Sequence, residues 1–466
     1  MSYTDGLDDP TIYFNTKLYT GNGSTNAISS VGFAPDWTLL KDRNDTSGTR
    51  VYDTVRGAVK RIRTDITDAE INDSDGLTAF GTDGFTLGAD GATNASSTLY
   101  VSWNWSAGGA SPAITYTVKV VSDSGNKYRF DDFGTSAVTL DLQEGGTYTF
   151  DQSDSSNYGH PLRFSTTSNG THGGGSEYTT GVTTTGTPGS AGAKTVITVA
   201  ASAPTLYYYC TQHSGMGGQA NTNSTFGSSN FSGSIQSTVS ANTTAGFSIV
   251  SYTGNGTDGA TVGHGLTSPK LVLIKDRDNS TPWLMYGFPN HPTFATDGDL
   301  IKLNLSDALV SNDSTTELSI GSSTVTFVDA GSAINANSAK FIMYCFQEIK
   351  GYSKFGSYSG NGSSDGTYIH LGFKPALVII KNSSRSSENW NLIDNKRDGF
   401  NGSNENLAPN LNGTESSGNN RWDILSNGFK CRDTNNEVNN SSDTYIYMAF
   451  AESPFVNSNG VPTNAR

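Results

Sequence analysis

The stretch PDWTLLKDR at residues 35–43 decides the fold because it returns twice, as PKLVLIKDR at 269–277 and as PALVIIKNS at 375–383. Each copy is preceded by a tyrosine-led segment: YTGNG at 19–23, YTGNG at 252–256 and YSGNG at 358–362. Each is followed by an aromatic strand: YVSWNW at 100–105, FIMYCF at 341–346 and YIYMAF at 445–450. Signals recurring in one order at similar separations mark copies of a single unit. DGFTLG at 83–88 and NGFKCR at 427–432 hold corresponding places in copies one and three, while copy two shows no such signature.

The unit reads as an antiparallel β-sandwich. Its apolar runs are short and bounded by Gly, Asn, Asp and Ser, which is the grammar of strands and turns. No long apolar stripe of period 3.6 is present, so substantial helices are not expected. Asn22-Gly23, Asn255-Gly256 and Asn361-Gly362 predict tight type I′ turns, whose two central residues need positive φ. Lys41, Lys275 and Lys381 close the apolar strands and are expected where each strand leaves the core for solvent. Period-two alternation places Trp103 and Trp105 on one face of their strand, and Tyr445 and Tyr447 on one face of theirs.

The interval between copies one and two is more than twice that between copies two and three, so a further unit is inserted there. Gly/Ser-rich connectors flank it, SAGGASP at 106–112 and TFGSSNFSGS at 225–234, as domain boundaries often are. The expected division is residues 1–112 for the first sandwich, 113–223 for the insertion, 224–350 for the second sandwich and 351–466 for the third. The fold class is therefore all-β: tandem antiparallel sandwich repeats with an inserted β-sandwich.

Composition narrows the function. Of the 466 residues 34% are apolar and only 15% charged, yet 11% are aromatic, which argues against a disordered chain. A net charge of -14 disfavours nucleic acid and anionic membrane surfaces, which call for clustered Lys and Arg. No run approaches the roughly 20 apolar residues of a membrane span. MSYTDGLDDP has neither a basic region nor an apolar core of a secretory signal. Three cysteines (Cys210, Cys345 and Cys431) cannot form a disulfide framework. An adhesin-like composition without an export signal suits a virion protein, made in the host cytoplasm and freed by lysis.

The layout resembles a family of marine phage structural proteins, tail fibres or receptor-binding proteins of cyanophage and pelagiphage type. The resemblance covers nearly the whole chain and is carried by MSYTDGLDDPTIYFNTKLYTGNGST at the start, DTVRGAVKRI at 53–62, EIKGYSKFGSYSGNG at 348–362 and IDNKRDGFNG at 393–402. It implies an outward-facing virion component of β-sandwich fold, often oligomeric. Its partners would be other virion proteins and a host-cell receptor or glycan. A homotrimer is expected, since long β chains need their edges covered. A capsid-decorating or tail-assembly protein without a receptor is the alternative.

Within the insertion, LDLQEGGTYTFD at 140–151 resembles the cupredoxin segment that precedes the first copper histidine. His160 follows in NYGHPLRFS, and LYYYCTQHSGMGG at 206–218 supplies Cys210, His213 and Met216 at C-x2-H-x2-M spacing. Two imidazoles and a thiolate in a plane, with a weak axial thioether, form a donor set that suits copper. The expected ligands are thus His160, Cys210, His213 and Met216, holding one structural copper. An electron carrier is a third reading of the same residues.

The remaining signals are weaker. His172 is expected in an exposed loop, and His264, His291 and His370 as isolated structural or surface residues. KRIR at 60–63 reads as a solvated turn before it reads as a partner contact. DSDG at 73–76 and DGD at 297–299 cluster oxygens but lack the ligand count of a calcium loop. No nucleophile–base pair, carboxylate pair or phosphate loop stands out, so no enzymatic activity is expected. Exposed Tyr and Trp beside Asn, Asp and Ser would suit glycan binding.

Overall fold

The three copies build the same two-sheet unit. The computed structural model describes residues 6–464 apart from 224, 293, 295–297, 399–400, 402–404 and 418–419. In each copy the closing aromatic strand is an inner strand of the larger sheet. Leu99–Trp105 runs between Phe14–Thr20 and Trp37–Asp42, and Lys340–Phe346 between Phe247–Thr253 and Leu271–Asp276. Thr444–Pro454 likewise lies between Ser353–Ser359 and Phe373–Asn382. Register is conserved to the residue: Trp105 faces Phe14 and Trp37, Phe346 faces Phe247 and Leu271, and Phe450 faces Ser353 and Leu377. A three-stranded sheet completes each unit. Copy two supplies Thr324–Phe327 where copies one and three use Gly84–Leu87 and Gly428–Cys431, so its counterpart is present despite the missing signature.

The copies are not beads on a string. Each closing strand is buried on both faces, and the alternation divides its residues between two cores. Ile342, Tyr344 and Phe346 enter a core shared by all three copies, whereas Phe341, Met343 and Cys345 fill copy two's own sandwich. Ile446, Met448 and Phe450 enter the same shared core, and Tyr445, Tyr447 and Ala449 the third sandwich. Val101, Trp103 and Trp105 do the same for copy one. The equivalent aromatics meet at the centre, with Trp105 and Phe450 rings 5.4 Å apart and Phe346 and Phe450 rings 5.8 Å apart. Trp37 joins copies one and two, 4.7 Å from the Tyr344 ring. All six tryptophans are buried, so exposed tryptophan offers no glycan platform.

Polar contacts between copies follow one cyclic order. Trp103 Nε1 of copy one donates to Asp394 of copy three at 3.0 Å, and the Tyr344 hydroxyl of copy two donates to Asp53 of copy one at 2.6 Å. Each carboxylate is paired with a buried arginine of its own copy, Arg397 or Arg56. The arginine of the KDR motif follows the same path: Arg43 reaches Glu415 at 2.7 Å and Arg277 reaches Glu70 at 2.9 Å. At the third corner Met448 and Gly287 occupy the donor and acceptor positions, by the same register, and provide neither. Donor and acid are present together or missing together.

Two sequence expectations are overturned. Lys41, Lys275 and Lys381 do not emerge into solvent; they are buried, and their ammonium groups bond backbone carbonyls. Lys275 Nζ reaches Thr67 O in copy one at 3.1 Å, and Lys381 Nζ reaches Ser306 O in copy two at 3.4 Å. Burial pulls all three down to about 8. The Asn-Gly pairs are not type I′ turns either. Gly23, Gly256 and Gly362 have positive φ, but the asparagines before them do not. These segments cross from the large sheet to the small one, latched to a buried asparagine. Asn94, Asn335 and Asn439 each accept, through Oδ1, the backbone N–H of Asn22, Asn255 or Asn361 at 3.0 Å.

The inserted unit has its own core. One sheet orders Asn126–Phe130, Ala113–Ser122, Thr147–Asp151, Lys194–Thr198 and Val182–Thr185. The other orders Leu140–Gln143, Gln219–Asn223, Leu206–Cys210, Leu162–Ser165 and Glu177–Tyr178. Ala113–Ser122 with Thr147–Asp151, and Leu140–Gln143 with Gln219–Asn223, are parallel pairs. Phe231, beyond the expected end of the insertion, packs into this core against Tyr116 and Phe130. Among the described residues no helix is long and apolar enough to cross a membrane.

Candidate metal centre

Two strands bring the candidate ligands together. Leu162–Ser165 and Leu206–Cys210 are antiparallel neighbours with Leu162 opposite Cys210, which places the loop carrying His160 beside the end of the cysteine strand. Cys210 Sγ lies 3.9 Å from His160 Nδ1 and 3.7 Å from His213 Nδ1, and the two imidazole centroids are 4.5 Å apart. The three donor atoms all fall within 4.8 Å of one another. Cys210 is buried, His160 half-buried and His213 exposed, so the cluster opens to solvent on the His213 side. Met216 is buried in the core of the inserted unit, and its carbonyl accepts from Tyr128 N at 3.0 Å.

The donor set fits one ion. Ligands about 2.0–2.1 Å (nitrogen) and about 2.3 Å (sulfur) from a common centre lie roughly 3.5–3.8 Å apart at tetrahedral to trigonal angles, close to the sulfur–nitrogen separations here. Both histidines present Nδ1 to the sulfur. Burial, and after it the neighbouring His213, hold His160 below the usual imidazole range, favouring the neutral ring that a metal needs.

His160 is held by buried side chains that no spacing in the sequence announces. Its carbonyl accepts from the Tyr128 hydroxyl at 2.9 Å and from Gln152 Nε2 at 2.8 Å. Gln152 Oε1 in turn accepts the Leu162 N–H at 3.1 Å, and the His160 N–H donates to Asn157 O. Burial, then the adjacent Cys210, raise the Tyr128 phenol well above its ordinary range, keeping it a donor. The ligand loop is fastened from its other side. Asn169, in the left-handed region, bonds Ser214 Oγ and the Gly215 N–H, and His172 Nε2 donates to Cys210 O at 3.0 Å. His172 is exposed, as expected, and still supports the site.

The other signals are absorbed by structure. Lys60, Arg61 and Arg63 are engaged by Asn72, Asp73 and Asp65. Asp73 of the first acidic stretch is taken by the Tyr52 hydroxyl and Arg61. Asp297 of the second lies outside the described residues, and Asp299 Oδ1 accepts the Asn312 N–H. Cys345 and Cys431 are buried and pushed up to about 12, so neither is a ready thiolate.

A family model described as Domain of unknown function (DUF7483) matches residues 9–135 and 219–454. All four candidate ligands fall in the segment the match passes over. No curated protein and no solved structure matches the chain.

Proposed function

The chain belongs to the DUF7483 family, and we propose that it is a non-enzymatic structural protein of a phage virion, a tail-fibre or host-attachment component facing outward. The observation that carries this reading is the shared core. Every tryptophan is buried, most of them where the three sandwiches join into one body. That is an investment in a durable shape. The sequence resemblance to phage fibre proteins points the same way. The homotrimer expected from strand edges that need covering belongs to the same reading, with other virion proteins as its partners.

The test is direct. Antibody against the purified chain should label intact particles, and the chain itself should bind host cells and block adsorption. Labelling without blocking would favour a decoration protein, and absence from particles would end the virion reading.

We propose further that the inserted unit is a cupredoxin-like domain in which His160, Cys210, His213 and Met216 would hold one copper ion. Bound copper would supply a thiolate-coordinated crosslink between two loops, and binding energy of this kind adds to folding energy. The chain's own contribution is to place His160 through Tyr128 and Gln152 before any ion arrives. Cu(II) titration should give one equivalent per chain and an intense thiolate charge-transfer band. Cys210→Ser should abolish that band, and a full band in this variant would refute the site.

A further inference from the structure

We propose that Asp36 is the residue that fixes the inserted unit on the three-copy body, by tying down the first of its two connectors. The Asp36 side chain is fully buried. One carboxylate oxygen accepts the Ala107 N–H at 2.6 Å and the other the Thr54 hydroxyl at 3.1 Å, and the Gly109 N–H also acts on the group. Ala107 and Gly109 belong to the connector that leads into the inserted unit. Thr54 holds the returning connector as well, since its carbonyl accepts the Phe226 N–H at 3.0 Å. From the inserted unit, Gln143 joins the two: Nε2 donates to Gly109 O at 2.9 Å, and Oε1 accepts the Gly227 N–H at 2.7 Å. A closed circuit therefore runs from Asp36 through the first connector, Gln143 and the second connector to Thr54.

The copies provide an internal control. Position 36 corresponds by register to Lys270 in copy two and by motif position to Ala376 in copy three, where the strand register shifts. The backbone role is unchanged between the first two: the Asp36 N–H donates to Trp105 O at 2.8 Å as the Lys270 N–H does to Phe346 O at 2.7 Å. The sandwich therefore forms with a lysine or an alanine at this place. The carboxylate accepts from the Ala107 N–H and the Thr54 hydroxyl, and among the described residues it forms no ion pair. A buried carboxylate without a cation is costly unless amides and hydroxyls satisfy it, and here two of its donors are the connector itself. The acid occurs in the one copy whose closing strand runs on into the insertion. Segments with the composition of flexible linkers are in this way made rigid, and the inserted unit is presented at one orientation, whether or not it holds a metal.

The test uses the full chain. Asp36→Ala installs the residue that copy three already carries, so the body should fold and melt as before. The Ala107 and Gly109 amides should exchange with solvent at least about tenfold faster than in the wild type, the effect of losing one charged acceptor. A broad-specificity protease should then cut within residues 106–112. Lys270→Ala should change neither readout. Connectors as protected in Asp36→Ala as in the wild type would overturn the proposal. So would a body that unfolds together with them, because Asp36 would then serve the sandwich and not the mount.

Discussion

The three-copy body and the inserted unit are both built of β-sheets, yet they keep their cores in opposite ways. The inserted unit encloses its own aromatics, such as Tyr116, Phe130 and Tyr208, takes in Phe231 from the returning connector, and meets the body through hydrogen bonds. A body copy keeps only half of its closing strand for itself and gives the other half to its neighbours. The difference teaches that sequence repetition does not measure folding independence. The copies, alike in sequence, depend on one another, whereas the unit unlike them is self-contained.

The largest effect should come from the centre of the shared core. Trp105 lies 4.5 Å from Trp37 and 5.4 Å from Phe450, ring to ring. Trp105→Ala should cost the body about 3–5 kcal/mol and leave the melting of the inserted unit in place. Calorimetry resolving two transitions checks this, and an equal shift of both would break the comparison. The corners between copies come next. Asp53→Ala strands the buried Arg56 guanidinium with Glu70 as its remaining carboxylate partner, and should cost the body about 3 kcal/mol. Met448→Leu at the corner without an acid should cost less than about 1.5 kcal/mol. Urea unfolding of the two variants decides whether the polar corners hold the ring together.

The smallest effect is graded with pH. Lys41, Lys275 and Lys381 titrate near 8 when folded, below an unfolded lysine near 10.4. Between those values the unfolded chain binds more protons, so body stability should rise as pH climbs from 8 towards 10. The slope is at most about 1.4 kcal/mol per pH unit for each lysine. The three lysines of the inserted unit, Lys119, Lys127 and Lys194, are exposed or half-buried. Its melting temperature should therefore stay flat over the same range, and a body that also stays flat would show the ammonium groups to be well solvated.

Much of this was legible in the residues. The alternation of YVSWNW and its relatives fixed which side chains share a face, and the order of His160, Cys210 and His213 located three donors that the fold gathers. What alternation cannot reveal is the partner on each face, so a strand apolar on both sides reads as a strand in one sandwich. The buried lysines escaped for a related reason. A lysine at a strand end is ordinarily solvated, and burial is tolerable here because backbone carbonyls gather around each ammonium: Ser47 for Lys41, Asp276 and Asn279 with Thr67 of another copy for Lys275, and Asn382 with Ser306 of another copy for Lys381. Asn-Gly suggested a hairpin because the turn rule is local, whereas Asn94 and its equivalents act from far along the chain. Tyr128 and Gln152 carry no motif, since they act on a backbone carbonyl that any residue would offer.

The cyclic order of the copies also sets a timetable. Copy one is made first, but the groups that answer Trp103 and Arg43 are Asp394 and Glu415, 291 and 372 residues further on. At about 5–20 residues per second on the ribosome, that is a wait of roughly 15–75 s. Until copy two arrives, one face of the first sheet has nothing to rest against, and its contacts with copy three wait longest. The inserted unit emerges early in that interval with all the contacts it needs nearby in sequence. It is ready to fold while the first copy is still waiting for the last.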